Sequence, residues 1–385
     1  MCQYVFMEQL IRPSIYLKIR RKKDEKVAVF GYECLMAVPL MMTAFAVEQK
    51  TDAEFEKYNL SAETEVNGGG TDYDRGRSVM LSMGFDEDLV DSMDRDHVAS
   101  YADVTEAVGL TQYYRVHYTL DNEIKTRSSE DHVFIEVTPE DEDHLVASVQ
   151  PVTKEEYERL SQEVVKLQEE GNRVATMDLI QKEKVFDGFM TLQAKAAKIS
   201  TSRYKISGTY EWTTRPQGFG TIFKGLRQDI FTIAPDAHGR FSNSTMYAIR
   251  KVDWARTVTD AQGVRHMTYG NNNKDFNGAN SMTFREGGGF GIDIPIEYSS
   301  TGDGYSYRNY NGYIGGEMLI SEDNLKATLK ICVDYAKNTK KIGSISSISV
   351  SIPPSLSISF SSGGDKYTVQ ESALMFHVPD FRKVS

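Results

Sequence analysis

Five tyrosines between residues 298 and 313 carry the side chains with the most evident binding chemistry. They are Tyr298, Tyr305, Tyr307, Tyr310 and Tyr313, interleaved with glycine, serine and asparagine. A tyrosine offers a flat apolar face and a hydroxyl group, which suits sugar rings, peptides and partner proteins. We therefore predict a ligand-binding surface on loops in this segment. The alternative is that the rings pack across neighbouring strands.

The arrangement of acidic side chains in the sequence gives no indication of a catalytic site. A glycosidase needs two carboxyl groups that face each other across a cleft. Asp293 and Glu297 lie four residues apart on a proposed strand, so both fall on one outward face. The acidic run at 139–144 lacks the spaced oxygen ligands of a calcium-binding loop.

Linear catalytic motifs are also missing from the sequence. The chain has no G-x-S-x-G, H-E-x-x-H, Walker or C-x-x-C pattern. No two of its seven histidines have metal-ligand spacing on one element. We predict no catalytic residue, no metal site and no cofactor, and the sequence favours a binding protein over an enzyme without deciding between them. A hydrolase whose site forms only in three dimensions stays open, and two convergent carboxylates or a Ser–His pair would favour it.

The N-terminal segment has the pattern of an export signal. Arg20, Arg21, Lys22 and Lys23 precede an apolar stretch at 34–46 that closes on Ala-Phe-Ala. We predict a signal peptide over 1–46, cleaved to leave a secreted or envelope-associated protein. A buried helix, an uncleaved anchor and a later start codon are the alternatives. No later apolar run reaches the length of a membrane span, so contact with a membrane is expected only through the signal.

Charge is distributed unevenly along a chain with a net charge of −11. Residues 47–150 carry 25 acidic and 8 basic side chains, whereas residues 151–385 carry 26 acidic and 29 basic ones. Nucleic acid is therefore not an expected partner. Of the three cysteines, only Cys332 follows the signal, so no internal disulfide is predicted.

The region before the β-rich part divides into four segments. We predict a flexible linker at 47–76 and an acidic α+β region at 77–150, with helices capped by Asp86 and Asp94 and a turn ended by Gly84. Thr153 and Glu156 form a capping box, which predicts a helical connector at 153–185. Its apolar seam is expected to pack on the following domain.

Residues 186–385 alternate apolar and polar side chains in many short segments with no helix between them. The clearest are 190–196, 204–212, 290–296 and 325–335. This period of two is typical of half-buried strands, and the absence of intervening helices favours an antiparallel β-sandwich. Residues 344–361 alternate serine with apolar residues around Pro353-Pro354, so a membrane-inserting hairpin is a further alternative.

The layout resembles that of a group of uncharacterised exported proteins of Gram-positive bacteria. The likeness covers 77–385 and rests on the Met-Gly-Phe turn at 83–85, on Tyr-Glu-Trp at 210–212 before Arg215-Pro216, and on the serine-rich segment 349–358. The chain departs from their pattern at 218–226. The resemblance implies export and a β domain, and it implies no catalytic residue. We expect non-catalytic binding of a surface glycan, peptide or protein.

Overall fold

The chain is mainly β, as its alternating pattern predicts. The computed structural model describes residues 53–60, 70–120, 145–171, 187–214, 227–236, 238–259, 261–271, 273–286, 288–296, 305–338, 345–350, 356–360, 367–378 and 380–384. Four α-helices occur in these ranges: α1 (Asp72–Ser82), α2 (Glu87–Asp91), α3 (Arg95–Ala99) and α4 (Lys154–Gly171).

Eighteen strands occur in the same described ranges. They are β1 (Glu54–Asn59), β2 (Glu106–Leu120), β3 (Leu145–Val152), β4 (Asp187–Lys198), β5 (Arg203–Thr214), β6 (Arg227–Pro235), β7 (Gly239–Phe241), β8 (Tyr247–Thr259), β9 (Arg265–Asn271), β10 (Lys274–Asn277), β11 (Phe284–Glu286), β12 (Gly289–Ile296), β13 (Tyr305–Ile320), β14 (Thr328–Asn338), β15 (Ile345–Val350), β16 (Leu356–Phe360), β17 (Tyr367–His377) and β18 (Arg382–Lys383).

The strands form three antiparallel sheets. Sheet A has ten strands, seven of them in the order β1-β2-β4-β5-β13-β8-β10, while β3 pairs with β2, β7 with β13 and β9 with β8. Sheet B has six strands in the order β11-β12-β6-β14-β17-β18. The strands β15 and β16 form a separate hairpin. The predicted antiparallel β-sandwich is confirmed, because one apolar core lies between sheets A and B.

Residues of alternate positions build that core. On β4 and β5, the side chains of Leu192, Ala194, Ile206 and Tyr210 face sheet B and are buried. On the facing strand β14, Val333 is buried in the same cluster. The alanines of β4 favour helices as isolated residues, but the packing of one apolar face overrides that preference.

A helical layer covers part of the other face of sheet A, which we call the outer face. The helices α1, α2 and α3 pack Met80, Leu89 and Val98 against Tyr247 and Tyr313 of the sheet. The predicted helix signals are confirmed: Asp86 and Asp94 cap α2 and α3 through their carboxylates. Gly84 follows α1 with φ of +73°, a conformation that favours glycine.

The helix α4 packs on the same outer face at a different place. The Thr153 hydroxyl accepts a hydrogen bond from the Glu156 N–H, as a capping residue does. Tyr157 contacts Tyr113 and Phe189 with ring centroids 5.0 and 5.9 Å apart. The prediction that the apolar seam packs on the β domain is therefore confirmed at Tyr157. The structure does not describe the side chains at the end of the seam.

Two predicted boundaries do not match the structure. The linker assigned to 47–76 contains the strand β1 and the first turn of α1, because Glu54–Asn59 pairs with β2 along its whole length. The division between an acidic region and a sandwich starting at 186 is also wrong, since β2 pairs with β4 across it. Backbone pairing decides both, and the composition of a segment does not reveal its partner strand.

The sequence predicted two segments that could contact a membrane: the signal peptide and the hairpin around Pro353-Pro354. The predicted signal peptide at 1–46 lies outside the described residues. Among the residues that are described, no helix is both long enough and apolar enough to cross a membrane. The hairpin predicted around Pro353-Pro354 is present as β15 and β16, although the two prolines themselves lie outside the described ranges.

Candidate functional site

The predicted tyrosine surface does not form as a loop. Tyr305, Tyr307, Tyr310 and Tyr313 all lie in the strand β13, and Tyr298 lies outside the described residues. The structure gives the backbone of Tyr305 and Tyr307 but not the placement of their side chains. Tyr310 and Tyr313 are 3% and 0% exposed. The expectation that these last two face a ligand on the surface is wrong.

Strand geometry explains why the tyrosines separate. Successive side chains of a strand point to opposite faces of the sheet, so positions 310 and 313 differ in parity. Tyr310 belongs to the core between the two sheets, where its neighbours include Trp212 by register. Tyr313 belongs to the cluster under the helical layer. Tyr310 and Tyr313 therefore pack against neighbouring strands, which was the alternative to ligand binding. Ligand binding by Tyr298, Tyr305 and Tyr307 stays a prediction.

A different set of polar side chains converges on the outer face of sheet A. The β2, β4 and β5 registers place Thr111, Gln193 and Thr209 side by side in one row. The β4, β5 and β13 registers place Thr191, Glu211 and Asn311 in the next row. We call these six residues the polar strip.

The sequence forms the polar strip because polar residues occupy alternate positions of long strands. Thr191 and Gln193 alternate with Met190, Leu192 and Ala194, which are buried between the sheets. The apolar side chains fix which face each strand turns inward, and the polar ones are then forced outward. The same rule places Thr209 and Glu211 of β5 on that face. The alternation in this hairpin was visible in the sequence, but its polar half drew no functional prediction.

Helices border the polar strip on two sides. The α1–α3 layer covers the adjoining rows of the outer face, where Ala107, Ala197 and Tyr247 contribute to its apolar cluster. On the other side, α4 contacts β2, β4 and β5. There the Tyr157 and Thr213 hydroxyls are hydrogen-bonded to each other. The polar strip therefore lies between the α1–α3 layer and α4.

Glu211 is the ionisable member of the polar strip. Its side chain is exposed, yet the surrounding protein desolvates the carboxyl group and raises its pKa, with a further contribution from the negative charge of Asp86. Exposure combined with desolvation is expected of a group in a depression. The Asp86 carboxylate accepts a hydrogen bond of 2.8 Å from the Leu89 N–H, so it is already engaged at the start of α2.

Asn311 lies beside Glu211 in the strand register and is almost fully buried. Its side chain is 7% exposed, and its Oδ1 atom has no hydrogen-bond partner among the described residues. Burying a hydrogen-bond acceptor without a donor lowers the stability of the folded protein. The next position in the row is Lys251 of β8, whose Nζ lies 3.8 Å from an Asp88 carboxylate oxygen.

A hydrogen-bonded aromatic cluster lies under the helical layer beside the polar strip. The His97 Nε2 atom is 3.0 Å from the Tyr313 hydroxyl, which is 2.7 Å from the Tyr101 hydroxyl. The His97 ring stacks on Tyr247 with centroids 4.2 Å apart. Burial lowers the pKa of His97 well below its usual range, and the nearby Lys205 charge adds to this effect. Burial also raises the pKa of Tyr101 to about 12.

The cluster ties α3 to the sheet. Neutral imidazole can accept or donate at Nε2, so the bond to Tyr313 needs no charge. The sequence showed His97 only as one histidine without a ligand-like neighbour, because its partner in β13 is 216 residues away. It was therefore missed.

Lys195 joins the sheet to the end of α1. It is 2% exposed, and its Nζ donates a hydrogen bond of 2.5 Å to the Met83 carbonyl oxygen. The ammonium group also lies 4.2 Å from the centre of the Phe85 ring. Burial lowers the pKa of Lys195 to about 7, although the Glu56 charge opposes the change. These contacts engage the lysine with the protein itself.

The polar strip thus offers hydroxyl, amide and carboxylate groups on one face of a rigid sheet. Within the part of the chain that is described, no group of three or more His, Cys, Asp or Glu side chains is placed to hold a metal ion. The arrangement can supply several hydrogen bonds to a ligand with many polar groups.

Comparison of the chain with protein-family models finds no match, and comparison with curated proteins finds none at a significant level. The site can therefore be interpreted only from its own geometry.

Proposed function

We propose that this is an exported, non-catalytic protein that binds a surface glycan on the polar strip. The observation that carries the proposal is the register of three threonines, two amides and one carboxylate across β2, β4, β5 and β13. Glycans present closely spaced hydroxyl groups, and such side chains can donate to and accept from them. Peptide and protein ligands are the other outcomes that a binding experiment can return.

The proposed location depends on the N-terminal sequence. The basic cluster at 20–23 and the apolar stretch at 34–46 support export, and the resemblance to exported proteins of Gram-positive bacteria supports release or retention at the envelope. A glycan ligand fits that location because envelopes and host surfaces both display glycans.

The first prediction tests the polar strip directly. Replacing Thr191 and Gln193 together by alanine removes a hydroxyl and an amide that are only half-buried. We expect glycan affinity to fall about tenfold or more, since two net hydrogen bonds of about 1 kcal/mol each are lost. Glycan-array binding, followed by calorimetry with the best ligand, measures the change.

The matched control is Tyr269→Ser on β9, where the ring is 69% exposed and lies outside the polar strip. It should bind as the unaltered protein does. If the Thr191/Gln193 variant folds with an unchanged circular dichroism spectrum and keeps full affinity, the polar strip is not the binding site.

A hydrolase is the second candidate, favoured by one observation. The raised pKa of Glu211 is a property that a general acid needs. A glycosidase also needs a second free carboxyl group, whereas Asp86 already caps α2. Binding therefore explains the site better. Release of reducing sugar from a bound glycan, lost in Glu211→Gln, would establish the hydrolase instead.

Membrane insertion is less well supported by the hairpin. Its described arms, Ile345–Val350 and Leu356–Phe360, contain six and five residues. A membrane-crossing strand needs about nine to eleven. Release of a dye from liposomes on addition of the protein would support membrane insertion.

A further inference from the structure

We propose that Glu211 and Asn311 form a subsite for a primary ammonium group, so that the glycan bound on the polar strip is one with free amino groups. This inference rests on the proposed function, because it assigns a ligand class to the same strip. The two residues are direct neighbours across the β5–β13 pair. Both belong to the outer face of sheet A.

The Asn311 side chain has an acceptor atom that no described residue satisfies. Its Oδ1 atom is buried and has no hydrogen-bond partner among the described residues. Leaving such an acceptor unpaired costs about 1–3 kcal/mol. A ligand N–H group that reached this oxygen would recover that cost.

Glu211 supplies the negative charge of the subsite. Its side chain is exposed and makes no ion pair within the described ranges. The Asp86 carboxylate adds further negative potential, as its effect on Glu211 shows. A cation beside Glu211 would therefore interact favourably with both carboxylates.

Three lysines near the polar strip make their contacts with other groups of the protein. The pairs are Lys195 with the Met83 carbonyl oxygen, Lys251 with Asp88, and Lys154 with Glu54. Two of these lysines are thus paired with carboxylates other than Glu211, and the third is bonded to the backbone at the end of α1. The ligand is left to supply the cation.

A primary ammonium matches this pair of acceptors better than a neutral group does. It has three N–H donors, enough for the Asn311 amide oxygen and a Glu211 carboxylate oxygen together. Hydrogen bonds between charged partners are also about twice as strong as neutral ones. An N-acetylated sugar offers one neutral N–H at this position, and a plain polyol offers only hydroxyl groups.

The test compares three oligosaccharides of equal length by calorimetry at pH 6: glucosamine, N-acetylglucosamine and glucose oligomers, all β-1,4-linked. We expect the glucosamine oligomer to bind about tenfold more tightly than the other two, the equivalent of one charge-assisted contact. In Glu211→Gln this preference should disappear, while weak binding of all three sugars remains. Glu322→Gln, an exposed acid on the turn after β13, should keep the preference.

The outcomes separate this inference from the proposed function. Equal binding of the three sugars by the unaltered protein, or a preference that survives Glu211→Gln, overturns the ammonium subsite and leaves glycan binding intact. Binding of none of them by a folded protein, with no hit on a glycan array, overturns both. A lysine-containing peptide that displaces the glucosamine oligomer at equal concentration would show that the subsite takes lysine and is not built for a sugar.

Discussion

Individual residues of this protein show that burial decides what a side chain can do. Tyr313 and Glu211 come from strands that pair with each other, and both lie on the outer face of sheet A. Tyr313 is covered by the helical layer and serves packing and hydrogen bonding. Glu211 is exposed between the helices and is available to a ligand. Residue type alone would have ranked the tyrosine as the better binding group.

His97 should make stability depend on pH. Burial lowers the pKa of His97 in the folded protein below the ordinary value of 6.5. Below pH 6.5, His97 is therefore protonated in the unfolded chain but stays neutral in the folded one. Stability should therefore fall as the pH drops through about 6.5, by up to about 1.4 kcal/mol per pH unit. Urea unfolding at pH 7.5 and 5.5 measures this.

The control for that experiment is His97→Gln, which keeps a polar group near Tyr313 but does not titrate. Its free energy of unfolding should change less between the two pH values than that of the unaltered protein. The raised pKa of Glu211 acts in the opposite direction and is common to both proteins, so it cancels in the comparison. Parallel pH profiles for the two proteins would show that His97 has no such role.

At the scale of elements, the close approach of the two sheets limits which residues can occupy some core positions. Gly208 of β5 faces sheet B, and a Cβ atom there would lie 2.5 and 2.7 Å from the two methyl groups of Val333. Those distances are far below ordinary contact, and the branched side chain of valine has little freedom to move. A glycine in a strand is otherwise unfavourable, so packing is its reason here.

Gly208→Ala should lower the free energy of unfolding by about 1–3 kcal/mol through overpacking. Adding Val333→Ala should recover part of that loss, because it removes the methyl groups that the new Cβ atom meets. Denaturant unfolding of the two single variants and the double variant measures this coupling. Strictly additive effects would mean that the two residues do not compete for space.

At the scale of the whole molecule, the described part of the chain is a sandwich with helices on one outer face, and it contains no disulfide. Its one described cysteine, Cys332, is buried in sheet B and forms no disulfide bond. Stability therefore depends on the apolar core between the sheets. Residues 51–385 form one compact unit, so the helical region and the sandwich are parts of the same body.

Export should be visible in the mass of the mature protein. If the segment at 1–46 is a cleaved signal, the exported chain begins near Val47. Intact mass spectrometry of the protein recovered from the culture medium or the envelope of a Gram-positive host should show that N-terminus. A mature protein that still carries Met1 would contradict the prediction.

Local patterns in the sequence determined the fold class, the strand hairpins, the caps at Asp86 and Asp94 and the turn at Gly84. These features depend on residues within a few positions of each other, and the alternation of apolar side chains states which face is buried. They therefore follow from the chain without knowledge of its partners.

Only the tertiary structure decided which strands became neighbours. The pairing of β1 with β2 turned a predicted linker into part of sheet A, and the β5–β13 register brought Glu211 beside Asn311, 100 positions away. It also placed Tyr310 and Tyr313 on opposite faces. Backbone hydrogen bonds are the same for every residue type, so the long-range register is set by the packing of the whole core and is not written in any local segment.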